Sequence, residues 1–199
     1  MKNNIIGVDE VGRGSLVGSA IICAFKSTDD IFKNFPYELR DSKKLSKKKR
    51  ELIYEELKKL KLQGDANYSI TFGKKKIIEK YNIHKTVLWC MSSSVKKIYQ
   101  NSDKIIIDGI FIPDDLKNLN IKAVIKADDK FAQVSAASII AKCFRDNLMN
   151  KLHTYDNRFF WHKNAGYPTK NHIESIKNFG ISKFHRETYQ PISQFINKL

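Results

Sequence analysis

Cysteine is sparse in this chain, and its three copies, Cys23, Cys90 and Cys143, are odd in number and far apart. That pattern offers neither a disulfide framework nor the paired spacing of a zinc site. Each lies among apolar residues, so buried thiols in a reducing compartment are expected. Long hydrophobic runs are missing too, since no stretch approaches the roughly 20 apolar residues a membrane span needs. The first residues lack the basic-then-apolar order of a secretory signal. A cytoplasmic protein with no membrane contact is therefore expected. Repeats, linkers and low-complexity tracts are absent, which leaves 199 residues, 42% of them hydrophobic, for one sizeable domain with a buried core.

Acidic residues are in short supply, with 21 Asp and Glu against 36 Lys and Arg and a formal charge of +15. An excess of this size favours a polyanionic partner, nucleic acid foremost. Part of it is ordinary solvated surface: "KKLSKKKR" (43–50) reads mainly as the start of a helix, with only its first lysines near a ligand.

Apolar runs at 3–9 and 19–25 read as neighbouring strands joined by a glycine-containing connection, and the alternating "NYSITFG" (67–73) reads as a third. "KIIIDG" (104–109) and "IKAVIK" (121–126) supply two more. Ser46 is placed to cap a helix that stops at Gly64, residues 77–99 keep one helical period, and 130–152 form a helix with small residues along one side. Thr169 or Asn171 starts a last helix ending near Gly180. Three strands joined largely by short connections, then helices alternating with two strands, predict a mixed α/β sheet covered by helices.

Within that frame Asp9 closes the first strand, Asp108 closes the fourth, and Asp128 lies just past the fifth, with Glu10 beside Asp9. Strand ends on one rim of a sheet converge. Four clustered carboxylates repel one another unless cations neutralise them. No His or Cys adjoins them, so an all-oxygen site for Mg²⁺ or Mn²⁺ is expected. Two such ions about 4 Å apart would serve phosphodiester chemistry. The glycines of "GVDEVGRGSLVG" (7–18) fit neither a dinucleotide fingerprint nor a phosphate loop. A tight turn remains, which brings backbone groups against a ligand, with Arg13 available to a phosphate or a nearby carboxylate.

"DEVGRG", "RDSKKLS", "IIIDG", "KADDKFAQVSAASIIAKCFRD", "GYPTKNH" and "HRETYQP" occur in the order found in ribonuclease HII, the type 2 ribonuclease H, from about residue 5 to residue 191. The chain resembles that family. The resemblance implies a ribonuclease H-like mixed five-stranded sheet flanked by helices, with a helical C-terminal part. It implies one catalytic domain over 1–199, the part from about 155 packing on the substrate side. It also implies a metal-dependent endoribonuclease that cuts RNA in RNA–DNA hybrids and cuts 5′ of single ribonucleotides in duplex DNA, leaving 3′-hydroxyl and 5′-phosphate ends. Mg²⁺ or Mn²⁺, two ions, are the implied cofactors, and a monomer is expected.

Carried over residue by residue, Asp9, Glu10, Asp108 and Asp128 match the metal-binding catalytic acids. Gly12, Arg13 and Gly14 match the turn that reads the ribose 2′-hydroxyl, Tyr167 a ring that stacks on the next sugar, and Lys43 and Lys44 phosphate contacts. Ser15 and Ser19 stand where proline is common, and Val11 where alanine is. With eight residues ahead of Asp9, the extra N-terminal domain of ribonuclease HIII is not expected, nor is a clamp-binding motif after Pro191. Asp146 is expected to pair with Arg145 or Lys142 or stay solvated, His185 and Arg186 to be structural, and Phe159, Phe160 and Trp161 to pack. A non-catalytic hybrid-binding module and a Mg²⁺ phosphatase or unselective nuclease are the competing readings. The intact acid set argues against the first, and the Gly-Arg-Gly turn against the second.

Overall fold

Alternating apolar residues of the first thirty positions form two long antiparallel strands, β1 (Ile5–Val11) and β2 (Ala20–Ser27), in a computed structural model that describes residues 4–196. The expected first strand began at Asn3, which lies outside the described residues. Next come α1 (Lys47–Gln63), β3 (Ala66–Gly73), α2 (Lys75–Tyr81) and α3 (Ile83–Lys96). They are followed by β4 (Lys104–Asp108), β5 (Ile121–Val124) and α4 (Ala132–Tyr155). The short α5 (Trp161–Asn164), α6 (Lys170–Phe179) and α7 (Ile192–Ile196) complete the chain.

The five strands form one mixed sheet in the order β3-β2-β1-β4-β5. β2 pairs antiparallel with β1 and β3, while β4 pairs parallel with β1 and β5. Alternation along β1 and β4 sends Ile6, Val8, Ile105 and Ile107 to one face, where α2 and α3 cover them with Ile78, Val87, Met91 and Val95. Ile21, Cys23 and Phe25 face the other way, onto Ile53 and Leu57 of α1 and Ala136, Ala137 and Ile140 of α4. The small residues of α4 permit close approach. A Cβ on Gly7 would lie 2.2 Å from the Gln133 carbonyl carbon and 2.3 Å from the Val134 nitrogen, so glycine is required where α4 crosses β1.

The structure departs from the sequence expectations at several points and meets them at others. The helical period over 77–99 is two helices, broken at Asn82, whose φ of 66° no continuous helix tolerates. β2 and β3 are joined by a long segment carrying α1, the helix expected from Ser46 to Gly64, so the first three strands are not all joined by short connections. β1 continues two residues past Asp9, which sits inside the strand and not at its end. Asp146 pairs with Lys142 at 2.6 Å, one of the expected partners, and with Arg50 at 3.1 Å, while Arg145, the other expected partner, points the opposite way into the protein. Phe159 and Trp161 are buried as expected, but Phe160 is 44% exposed. All three cysteines are free and buried. Among the described residues no helix is long and apolar enough to cross a membrane.

Candidate nucleic-acid active site

Parallel pairing of β1 with β4 registers Val8 against Ile107, so Asp9 and Asp108 follow side by side on adjacent strands. Alternation turns both toward the α4 face, with Gly7 and Ile106, whereas Glu10 falls on the α2–α3 side. Asp128 lies in the 3-10 turn Ala127–Asp129 between β5 and α4, and the same turn is tied back to β4 by the Ala127 N–H donating to Asp108 Oδ1 at 2.8 Å. Asp9 Oδ1 accepts the Glu10 N–H at 2.7 Å.

Burial raises the Asp9 carboxyl well above the ordinary range, Glu10 and Asp108 raise it further, and hydrogen bonds from Ser138 and the Glu10 backbone oppose them. Glu10 is raised by burial, with Arg13 opposing, and Asp128 by burial and then by Asp108. The four acids therefore form one electrostatically coupled cluster. Among the described residues no group of three or more His, Cys, Asp or Glu stands in ligating geometry. The donor set nevertheless fits a hard divalent cation: it is all oxygen, and crowded buried carboxylates are what such an ion neutralises.

The turn after β1 begins at Gly12, whose φ of +86° favours glycine and whose Cβ, if present, would lie 3.3 Å from the Arg145 guanidinium. Arg13 Nη1 reaches Glu10 Oε1 at 3.5 Å and its Nη2 lies 3.2 Å from His84 Nδ1. The Tyr167 ring sits beside Gly14, 3.8 Å from where a Cβ would be, so the Gly-Arg-Gly turn and Tyr167 are neighbours. The two lysines separate. Lys43 exerts a charge effect on both Glu10 and Asp128, while Lys44 is held by both oxygens of Asp129 at 2.7 and 2.8 Å.

Several buried residues of the quoted motifs support the site from behind. Arg145 is fully buried and its guanidinium donates to the carbonyls of Val17, Ser19 and Ala165 and to Ser15 Oγ. Arg186, also fully buried, donates to the carbonyls of Gly18 and Arg13. His172 and His185 form a buried chain behind Tyr167. Ser182 N–H donates to His185 Nδ1 and Trp161 Nε1–H to His172 Nε2, so His185 holds its proton on Nε2 and His172 on Nδ1, which donates to the Tyr167 carbonyl at 2.8 Å. Burial drives His185 down to about 3 and lowers His172. His185 and Arg186 are thus structural, as expected.

Residues 6–192 match the family described as ribonuclease HII. A ribonuclease HII of Pelagibacter ubique is 42% identical over 192 residues, covering 96% of this chain and 98% of that protein. Among solved structures, the PCNA:RNase HII complex from Archaeoglobus fulgidus superimposes with a TM-score of 0.78 at 22% identity, covering 94% and 95% of the two chains. Bst-RNase HIII in complex with Mn²⁺ gives 0.69 at 16% identity, covering 99% of this chain and 70% of that one. At these identities the structural likenesses speak for the fold, a ribonuclease H-like sheet.

Proposed function

This chain belongs to the ribonuclease HII family, and from that premise we propose that it removes ribonucleotides from DNA, cutting on the 5′ side of a lone ribonucleotide as well as within the RNA of hybrids. It is a metal-dependent endoribonuclease of the ribonuclease H type. The observation that carries the finer reading is the adjacency of three groups: the acid cluster on β1, β4 and the turn before α4, the Gly-Arg-Gly turn, and the Tyr167 ring.

Asp9, Glu10, Asp108 and Asp128 would hold Mg²⁺ or Mn²⁺, the latter being the ion of the Bst-RNase HIII complex. The chemistry supplied by two bound ions is activation of an attacking water and neutralisation of the departing 3′-oxygen. The chain's own residues position the substrate for it. Backbone groups of Gly12–Gly14 contact the ribose 2′-hydroxyl, which distinguishes RNA from DNA. The Tyr167 ring holds the following deoxyribose, and Lys43 holds a phosphate. Lys44, already engaged by Asp129, would have to exchange that partner to contribute. The whole chain acts as one catalytic domain and as a monomer, with the helical part from about residue 155 on the substrate side, and the +15 charge supports a duplex partner.

The test is Mg²⁺-dependent cleavage of duplex DNA carrying one ribonucleotide, beside an all-DNA control, with product ends mapped. Cutting 5′ of the ribonucleotide, leaving 3′-hydroxyl and 5′-phosphate ends, is expected. Cleavage of the all-DNA control at the same rate would remove the ribose-reading role, and cleavage on the 3′ side would refute the assigned register.

A further inference from the structure

Two groups from the far end of the chain converge on one carbonyl of the recognition turn. Arg186 Nη1 donates to the Arg13 carbonyl oxygen at 3.0 Å, and the Tyr189 hydroxyl donates to the same oxygen at 2.9 Å. The two donors also contact each other at 3.1 Å, which fixes their relative positions. Arg186 is fully buried and is not ion-paired with any carboxylate among the described residues. Its Nε donates to the Gly18 carbonyl, at the other end of the same turn. A buried guanidinium is costly to desolvate, and here its hydrogen bonds go to the turn's backbone carbonyls and to Tyr189.

The consequence lies on the other side of the peptide. The Arg13–Gly14 bond is trans, so its carbonyl and its N–H point in opposite directions across a rigid plane. With the carbonyl drawn inward by two donors, the Gly14 N–H faces outward. Gly14 is exposed, and among the described residues its N–H donates to no protein acceptor. A glycine is flexible enough for this peptide to flip if nothing holds it.

We propose that Arg186 and Tyr189 are positioning residues for ribose selectivity: they lock the Arg13–Gly14 peptide so that the Gly14 N–H stands as a fixed donor to the 2′-oxygen of the ribonucleotide. The inference rests on the reading of the site given above. It assigns the orientation of the donor to residues more than 170 positions away, neither of which touches the nucleic acid. Tyr189 is the gentler handle, because Tyr189→Phe keeps the ring, which is partly buried against core clusters, and removes only the hydroxyl.

The experiment compares wild type, Tyr189→Phe, Arg186→Lys and the double variant. Each is assayed for kcat and KM on duplex DNA with one ribonucleotide, for inhibition by an all-DNA duplex, and for Tm. Tyr189→Phe is expected to lower kcat/KM on the ribonucleotide substrate by about three- to tenfold, the scale of one hydrogen bond, with inhibition by the all-DNA duplex unchanged. Because both donors hold one acceptor jointly, the double variant should lose less than the product of the single losses, and fully multiplicative losses would count against the shared lock. In ¹⁵N–¹H spectra the Gly14 amide should exchange faster or broaden in the variants. Equal losses in substrate turnover and all-DNA binding, or a Tyr189→Phe enzyme that keeps wild-type kcat/KM and an unchanged Gly14 amide, would overturn the proposal. If Arg186→Lys fails to fold, Tyr189→Phe decides alone. A wild type that ignores the ribonucleotide would instead remove the reading of the site.

Discussion

At the residue scale the acid cluster and the ring beside the turn make separable claims. Asp9 and Asp108 lie side by side at the rim of the sheet, where they would hold cations and leave the nucleic-acid backbone to the basic residues. Asp9→Asn or Asp108→Asn should therefore remove most turnover, by a hundredfold or more on the order of lost transition-state charge stabilisation, with hybrid affinity largely kept. Filter-binding and turnover measured on the same preparations check this, and near-normal turnover in both variants defeats the metal assignment. Tyr167 presents a ring to Gly14, and on the proposed reading the ring face should matter more than the hydroxyl. Tyr167→Phe should be mild, while Tyr167→Ala should cost about tenfold or more on a single-ribonucleotide duplex, as misplacement of a reacting group does. The acids and the turn were legible in the sequence because apolar runs ended beside them. The inward turn of Arg145 was not, since a lone Arg in a helix reads as surface charge and only the folded chain shows it buried. Ser15 has a visible role in the turn: its hydroxyl accepts from Arg145 and from the Val17 N–H.

At the scale of elements, the break between α2 and α3 has the most specific consequence. Asn82 combines a φ of 66° with a side-chain oxygen that accepts from the Lys85 N–H at 3.0 Å, so one residue both turns the chain and caps α3. Asn82→Gly loses the cap but relieves strain that the wild type already carries, so the two effects oppose and the net change should stay within about 1 kcal/mol. Asn82→Ala loses the cap and keeps the strain, and should cost about 1–3 kcal/mol more. Urea denaturation of the two variants checks the order, and equal destabilisation would show that strain is negligible there. The start of α3 carries His84, the neighbour of Arg13, so Asn82→Ala should also disturb the turn. Five strands and the caps at Ser46 and Thr169 were readable from alternation and turn chemistry. The helix break was hidden because apolar residues keep the helical period straight across Asn82; in the β2–β3 segment α1 was readable, while residues 28–45 show no period of their own.

At the scale of the whole molecule, the paired histidines tie acid stability to the C-terminal core. Folded His185 is depressed to about 3 and His172 is lowered, both first by burial, against an unfolded value near 6.5. The unfolded chain therefore binds protons that the folded chain refuses as pH falls below about 6.5. Stability conferred by the neutral pair is complete above that pH and drains away below it, by up to about 1.4 kcal/mol per pH unit for each histidine. Asp9, Glu10 and Asp128, whose carboxyls are raised, act in the opposite sense just above their ordinary range. The contrast with His185→Gln isolates the histidine: its unfolding midpoint in urea should change less between pH 7 and pH 5 than that of wild type. Parallel pH profiles would place the acid sensitivity elsewhere.

The pairing of β1 with β4 also sets an order of events in synthesis. β1 and β2 can meet as soon as the first thirty residues leave the ribosome, but Asp9 gains Asp108 only after about a hundred, and the Arg13 carbonyl gains its two donors only when residues 186 and 189 arrive. Distant contacts of this kind form late. On the proposed reading of the turn, a nascent chain would hold its basic surface and part of its acid cluster long before it could tell ribose from deoxyribose, and selectivity would be the last property the protein acquires.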